Sequence, residues 1–371
     1  MLSSRKTSTV VGLDVEAGSI AATEVTSNGG VRLGNTGIAP LGPGVTREGE
    51  VADADALAAS LKELFAEHKL ARNVRIGIAN QRVIVRTMRL PLIEDRDEFD
   101  AAIRFQAASE IAMPLDQAVL DWQRLESEPS VTAANKMDVV VVAARRETVA
   151  GFSGAIRAAG LKPIGIDVSA FAMIRALASE VPAQVTEAAP VSYEERTAGG
   201  EDAPAPVRPA RLYCSLGDVT NLAVARDRNC LFTRVSPFGV EGIAQRLAER
   251  RELTLEHARQ WLLHVGLDAP VEEIDGDPEI LTAAREILEE GAAKLAGEIR
   301  LSLDYYGGQE GAVAVEEIVA CGPGIAIGGL PERLERELGL ALRPVRPAAL
   351  GHLDDAEAAR LTVSYGLGME V

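Results

Sequence analysis

Long apolar runs and cysteine pairs are scarce in this 371-residue sequence. The longest strongly apolar stretch, residues 139–144, is far shorter than the roughly 18 residues that a membrane-spanning helix needs. The three cysteines, Cys214, Cys230 and Cys321, cannot all pair and form no Cys-x-x-Cys motif, which indicates reduced thiols. Residues 1–8 lead straight into a β-like run without a signal-peptide core. We therefore expect a cytoplasmic protein that reaches a membrane only through a partner.

Positive charge is also in the minority, with 38 Lys and Arg against 55 Asp and Glu and a net charge of -17. This excess repels phosphate backbones and no local basic patch offsets it, so we expect no nucleic-acid partner. Hydrophobic residues make up 47% of the chain and the mean hydropathy is +0.06. That content is typical of a globular protein, and the length leaves room for about two domains of roughly 150 residues each.

Two stretches, residues 9–40 and 211–237, share one design. Each alternates short β-rich runs with polar turns, and each is followed by a helix. The Asn28-Gly29 pair in the first stretch is a strong hairpin signal, and residues 227–229 form the corresponding turn in the second. We interpret the similarity as an internal repeat, which predicts two related lobes that face each other.

A separate α+β module is predicted between the two stretches, followed by a linker. The valine-rich run at 137–143 is typical of an interior strand. The helix at 94–111 has one apolar side and ends before Pro114. We predict module strands over 75–78, 83–90, 118–125 and 137–143, module helices over 94–111 and 147–159, and a returning strand over 161–168. Residues 181–210 contain five prolines and few apolar residues, which favours a mobile linker.

Three glycine-bearing turns contain the residues that could bind a phosphate. Glycine lets backbone N–H groups approach an anion closely, hydroxyls add donors, and an Asp at a strand end can hold Mg²⁺. Each turn alone is weak evidence because hairpins need glycine anyway; their joint order favours a shared site. The candidates are Asp14, Gly18 and Ser19 in the first turn, Gly217, Asp218 and Thr220 in the second, Gly239 before the next helix, and Gly322 and Gly324 in the third.

This order of turns, with a module inserted after the first helix, resembles the actin/Hsp70/sugar-kinase superfamily. Within it the sequence resembles the PilM family of type IV pilus assembly proteins, over nearly everything except residues 1–8 and the linker. The most specific stretches are residues 83–122, residues 139–177 with the AAGLKP helix end, and residues 298–306, which read EIRLSLDYY.

The resemblance implies an α/β, actin-like two-lobed fold in which duplicated ribonuclease-H-like lobes carry a small inserted α+β subdomain. It also implies the division of the chain. We expect a first lobe (1A) of residues 9–74, 155–180 and 353–371, an inserted subdomain (1C) of 75–154, a flexible linker of 181–210, and a second lobe (2A/2B) of 211–352.

The resemblance further implies ATP with Mg²⁺ between the lobes, with Asp14 at the metal, the first two turns on the phosphates and the third beside the adenosine. It implies a cytoplasmic scaffold, peripheral to the inner membrane, that binds the N-terminal tail of the membrane protein PilN and contacts other pilus machinery. The tail is expected in the groove between the inserted subdomain and the first lobe. No catalytic residue is implied, so we expect a non-enzyme with at most weak ATPase activity.

Three residues depart from the family pattern. The family usually reads D-I-G-S-S-S at the first turn, whereas this chain places Glu16 where the first glycine stands. A carboxylate beside a triphosphate in a poorly solvated cleft is repelled by several kcal/mol. Ser215 replaces the usual Asp of the second turn, and Ser169 lies near the carboxylate that positions water in hydrolytic relatives. We expect weakened nucleotide binding and no efficient hydrolysis.

Two other functions remain as alternatives. An FtsA-like cell-division actin homologue carries a comparable module but ends in an amphipathic membrane-targeting helix, and the segment 365–371 does not resemble one. A small-molecule kinase of the same superfamily would need an acidic catalytic base and a polar substrate pocket, which the sequence does not display. Both therefore rank below the scaffold.

Overall fold

Two five-stranded sheets of matching topology dominate the fold, as seen in a computed structural model of the chain. The structure describes residues 8–125, 136–182, 209–309 and 311–369. The strands are β1 Ser8–Val15, β2 Ser19–Ser27, β3 Val31–Pro40, β4 Thr46–Arg47, β5 Glu50–Val51, β6 Asn73–Ile78, β7 Ile84–Pro91, β8 Ala118–Arg124, β9 Lys136–Arg145, β10 Lys162–Val168, β11 Ala210–Leu216, β12 Thr220–Arg226, β13 Asn229–Ser236, β14 Val315–Cys321 and β15 Ala341–Pro344. The helices are α1 Ala54–Glu67, α2 Arg96–Glu110, α3 Arg146–Ala158, α4 Ser169–Leu177, α5 Val240–Arg251, α6 Leu255–Val265, α7 Pro278–Gly307, α8 Leu330–Leu338 and α9 Asp355–Gly368.

The two sheets repeat one strand order. The first sheet runs β10-β6-β1-β2-β3 and the second runs β15-β14-β11-β12-β13. In each, three strands form an antiparallel meander, a fourth strand pairs in parallel with the first strand of the meander, and a fifth pairs in parallel with the fourth. The predicted internal repeat and the two-lobed α/β architecture are confirmed.

The first helix shows how local sequence sets the boundaries. The side chain of Asp53 accepts the backbone N–H of Ala56, which caps the N-terminus of α1. Leu57, Leu61 and Leu64 then recur at helical spacing and are buried against the first sheet. The helix predicted after the first stretch is confirmed as α1.

The inserted subdomain is a three-stranded sheet of order β7-β9-β8, covered by α2. The central position of β9 confirms the interior strand predicted from its valines. Phe99 and Ile103 of α2 are fully buried on this sheet, and Trp122 of β8 meets the Phe99 ring edge-on at 4.8 Å. The Asp95 side chain caps the helix start.

The expected limits of this subdomain are too wide at both ends. The strand predicted at 75–78 lies in β6, which pairs in parallel with β1 and β10 in the first-lobe sheet. Its Val74 and Ile76 are fully buried in the first-lobe core, and Gly77 faces Ser169 on the other side. The helix predicted at 147–159 corresponds to α3, whose Phe152 packs in the same core. Strand pairing decides the assignment of β6, and core packing decides that of α3. Both involve residues far away in the sequence.

Most of the predicted linker, residues 183–208, lies outside the described residues. At its end the boundary is wrong by one residue, because Ala210 already pairs with Val315 as the first residue of β11. The helix predicted after the second stretch is confirmed as α5, and α6, α7 and α8 follow it in the second lobe. α5, α6 and α7 cover one face of the second sheet.

One hydrophobic core joins the two lobes. It combines α4 and α9 with residues from both sheets, so these helices lie between the sheets. Small residues allow the close approach: a Cβ at Gly12 would lie 1.9 Å from the carbonyl oxygen of Ser364, and a Cβ at Gly366 would lie 2.0 Å from that of Ala172. Helix α9, assigned to the first lobe from the sequence, therefore packs on both lobes.

We expect Gly366→Ala to lower the free energy of unfolding by about 3 kcal/mol, because the added methyl group forces α9 away from α4. Gly297→Ala is the matched control, since this helical glycine has no atom within 4 Å of its would-be Cβ. It should raise the free energy of unfolding by about 0.5 to 1 kcal/mol through helix propensity. Urea unfolding of the two variants measures both changes, and equal effects would contradict the close packing of α9.

Candidate functional site

The two hairpin turns duplicated by the repeat meet at the cleft between the lobes. The backbone N–H of Ala17, in the turn after β1, donates to Oδ2 of Asp218, in the turn after β11, over 3.0 Å. The side chain of Glu16 also crosses the cleft, because a Cβ at Gly217 would lie 2.1 Å from its Oε1. The lobes thus contact each other directly where the sequence predicts the phosphates.

Small cavities of about 30, 70 and 10 Å³ remain in this cleft. Pockets that bury a small-molecule ligand measure about 300 to 1,000 Å³, so none of the three has room for a nucleotide. The structure does bring predicted residues together here. Those that line the three cavities are Asp14, Gly18, Ser19, Asp218 and Gly322.

The other predicted residues shape the second lobe around its turn. A Cβ at Gly239 would lie 2.3 Å from the carbonyl oxygen of Asp218, so this glycine lets α5 start against the turn. Gly324 likewise lies against the end of β11, because a Cβ at this position would lie 2.6 Å from Cβ of Leu216. The Thr220 hydroxyl donates to the carbonyl oxygen of Phe238 over 2.7 Å. Its proton is therefore already used in a hydrogen bond within the second lobe.

The carboxyl groups in the cleft are hard to ionise. Desolvation raises the pKa of Asp14 to about 7, and the hydroxyl of Ser169 partly offsets the rise. Desolvation also raises the pKa of Glu16 to about 8, helped by the negative charges of Asp14 and Asp218 and opposed by Arg360. Burial therefore disfavours the ionised form of Glu16.

Two arginines and a glutamate at this cleft carry no signal in the sequence. Nη1 of Arg360, in α9, donates to Oγ of Ser19 over 2.9 Å. Arg259 forms a bidentate ion pair with Glu241, with Nε and Oε2 2.9 Å apart. A Cβ at Gly18 would lie 2.0 Å from Nη2 of Arg259, so the glycine makes room for this pair. Only the tertiary fold brings these residues to the first turn.

The cleft is a poor site for an anion. It gathers the carboxyl groups of Asp14, Glu16 and Asp218, while Arg259 is already paired and Arg360 is the remaining cation among the residues that line its cavities. Within the described ranges, no group of three or more His, Cys, Asp or Glu side chains is arranged to hold a metal ion. The assignment of Asp14 to Mg²⁺ thus stays a prediction.

A larger groove of about 300 Å³ lies where the inserted subdomain meets the two lobes. The inserted subdomain contributes Ile84 and Arg86, the first lobe contributes α4 and the end of β10, and the second lobe contributes Phe232, Arg234 and Tyr305. The rings of Phe232 and Tyr305 are 5.9 Å apart, and Tyr305 is 55% exposed. The groove is therefore lined by apolar side chains together with two arginines.

Two expectations from the sequence concern the state of the cysteines and the membrane-spanning potential of the helices. Cys214, Cys230 and Cys321 are buried free thiols. Among the described helices, none has the length and apolar character required to span a membrane.

Comparisons with known proteins identify relatives of the chain. Residues 12–192 match the family described as Type IV pilus assembly protein PilM. The structure is similar to a solved chain of the "PilM-PilN type IV pilus biogenesis complex", with a TM-score of 0.74 and 27% identity over 97% of both chains. It is also similar to ethanolamine utilization protein EutJ from Carboxydothermus hydrogenoformans, with a TM-score of 0.52 and 13% identity over 100% of this chain and 93% of that one. The second likeness shows the fold alone. The duplicated lobes, the inserted subdomain and these matches together show that the chain has an actin-like two-lobed fold and is similar to the PilM family of type IV pilus assembly proteins.

Proposed function

We propose that this protein is a cytoplasmic scaffold of the type IV pilus machinery that holds the N-terminal tail of a PilN-like inner-membrane protein. The observation that carries the proposal is the match of residues 12–192 to the PilM family, together with a 27% identical relative solved in a complex with PilN. Through this tail the scaffold is held at the inner membrane, and its remaining surface is available to other pilus components.

The tail is assigned to the groove between the inserted subdomain and the lobes. A groove of about 300 Å³ accommodates a few side chains of an extended segment. Ile84 and Phe232 offer apolar contact, and the exposed Tyr305 ring offers a rigid surface of the kind enriched at binding hot spots. The groove borders the first lobe and the inserted subdomain, between which the resemblance implies the tail, and residues of the second lobe also line it.

Catalysis is not part of this proposal. A water-activating base must lie within hydrogen-bond reach of the water, and a serine hydroxyl does not accept a proton near neutral pH. Ser169, at the start of α4, lines the cleft cavity beside Asp14. Of these two, only the carboxyl group could act as a base, and desolvation by burial raises its pKa.

The residues of the cleft do not fit the ATP that the resemblance implies. The carboxyl group of Glu16 lies against Gly217, where the phosphates were expected, and the cavity beside it measures about 30 Å³. Phosphate binding at such turns depends on free backbone N–H groups, whereas the N–H of Ala17 is bonded to Asp218. We infer that nucleotide control of the scaffold is weakened in this chain.

A synthetic peptide with the N-terminal sequence of the PilN-like partner should bind the protein, and Tyr305→Ala should weaken binding about tenfold by removing one aromatic contact. Fluorescence anisotropy of the labelled peptide measures the affinity. Phe105→Ala is the matched control, because Phe105 is 87% exposed on α2 and does not line the groove. No binding at high micromolar peptide would refute the scaffold proposal, and an equal loss in both variants would move the site away from the groove.

Calorimetric titration with Mg-ATP should show little or no binding to the wild-type protein. Glu16→Gly should bind at least about tenfold more tightly, because it removes the carboxyl group from the phosphate position. Adding Asp14→Ala to Glu16→Gly should reduce binding again if Asp14 holds the magnesium ion. Tight wild-type binding that neither substitution changes would show that the phosphates bind elsewhere.

A further inference from the structure

The groove beside the inserted subdomain is bordered by the edge of a sheet. β7 lies at the end of the strand order β7-β9-β8, and Ile84, Val85 and Arg86 of this strand line the groove. We propose that the tail of the PilN-like partner binds here as an extended strand that pairs with β7 through its main chain. This inference rests on the proposed function, because it takes the tail as the occupant of the groove and adds the geometry of its binding.

Two sheet edges border the groove, and they differ in regularity. The eight residues of β7 pair with β9 without a register shift, and the only proline of this strand is its last residue, Pro91. β13 is an edge of the second-lobe sheet, but its pairing with β12 shifts register beside Phe232. Such an irregularity disrupts the ladder and bends the strand, whereas a regular edge presents a continuous row of N–H and C=O groups. β7 is therefore the better template for an added strand.

Polar groups that line the groove have unused hydrogen-bonding capacity. Nη1 of Arg86 donates to the carbonyl oxygen of Val85 over 3.1 Å, and neither Arg86 nor Arg234 forms an ion pair with another described residue. Asn221 is only 4% exposed, and its Oδ1 has no hydrogen-bond partner among the residues that the structure describes. Leaving a buried polar group unpaired is unfavourable. A strand carries both N–H and C=O groups along its length, so its main chain can pair with these side chains as well as with β7.

The apolar lining of the groove sets the side-chain pattern of the tail. Successive side chains of a strand point to opposite faces, so every second tail residue faces the same part of the lining. Phe232 and Tyr305 of the second lobe place two aromatic rings 5.9 Å apart in the groove, and the half-buried Ile84 belongs to β7 itself. Apolar tail residues two positions apart pack against these side chains. The occupant is therefore an extended segment in which apolar residues alternate with residues that face away.

Backbone N-methylation of the synthetic tail peptide, one residue at a time, tests the strand pairing. In an added strand the N–H groups of alternate residues point to the neighbouring strand, and a methyl group removes the hydrogen bond. Methylation at every second residue should therefore weaken binding about tenfold, the effect of one lost hydrogen bond. Methylation of the residues between them should change the affinity less than about threefold. Fluorescence anisotropy measures each affinity against that of the unmodified peptide.

Hydrogen exchange of the full chain identifies the strand that pairs with the tail. With saturating peptide, NMR-detected exchange should slow by about tenfold or more at alternate backbone amides of β7, because these N–H groups gain a partner. β8 is the matched control, since it forms the opposite edge of the same sheet. Its amides should exchange at the same rate with and without the peptide.

The possible results separate this inference from the proposed function. If the unmodified peptide does not bind, the scaffold proposal and the strand pairing are both refuted. If it binds but the methylated peptides show no alternation, the strand pairing is overturned and tail binding stands. Slower exchange at β13 in place of β7, or equally at β7 and β8, would also overturn the pairing with β7. Alternation in the methylated peptides together with slower exchange confined to β7 would support it.

Discussion

The packing of α4 and α9 between the two sheets is the constraint on which the rest of the structure depends. Because both sheets contribute to one core around these helices, the lobes face each other in a fixed relation at their base. The hairpin turns at the ends of β1 and β11 are then brought into contact, and their acidic residues have little room to avoid one another. The unusual electrostatics of the cleft thus originate in apolar packing some distance away.

Much of the fold could be predicted from the sequence because its signals are local. The hairpin turn at Asn28-Gly29, the helical spacing in α1 and the valines of β9 each report on their own element. The repeat of the meander then predicted the two lobes. The position of β6 could not be predicted this way, because an isolated apolar run does not reveal whether its partner is β1 or β7. The pairing depends on residues far away in the chain.

At the candidate site, too, local features could be predicted from the sequence and long-range contacts could not. Glycine-bearing turns are local features, and the duplication brings Asp14 and Asp218 together as expected. Arg360 and Arg259 were missed because no spacing rule connects them to the first turn. The sequence also indicated that Glu16 would repel a phosphate, but the contact with Gly217 appears only when both lobes are in place. The departure from the family pattern is therefore accommodated by the absence of a side chain at Gly217.

Helix α9 has a consequence for how the chain is synthesised. The hydroxyls of Thr23 and Ser364 are 2.6 Å apart although 341 positions separate them, and Arg75 donates to the carbonyl oxygen of Leu367. While a ribosome makes the protein, the α9-facing side of the first sheet stays uncovered until the last helix emerges. The sheet is complete once β10 has been made, and 200 further residues separate the end of β10 from the end of α9. At about 5 to 20 residues per second, this interval is on the order of 10 to 40 s. For about half of its translation the chain therefore holds a first sheet whose covering helix has not yet been made.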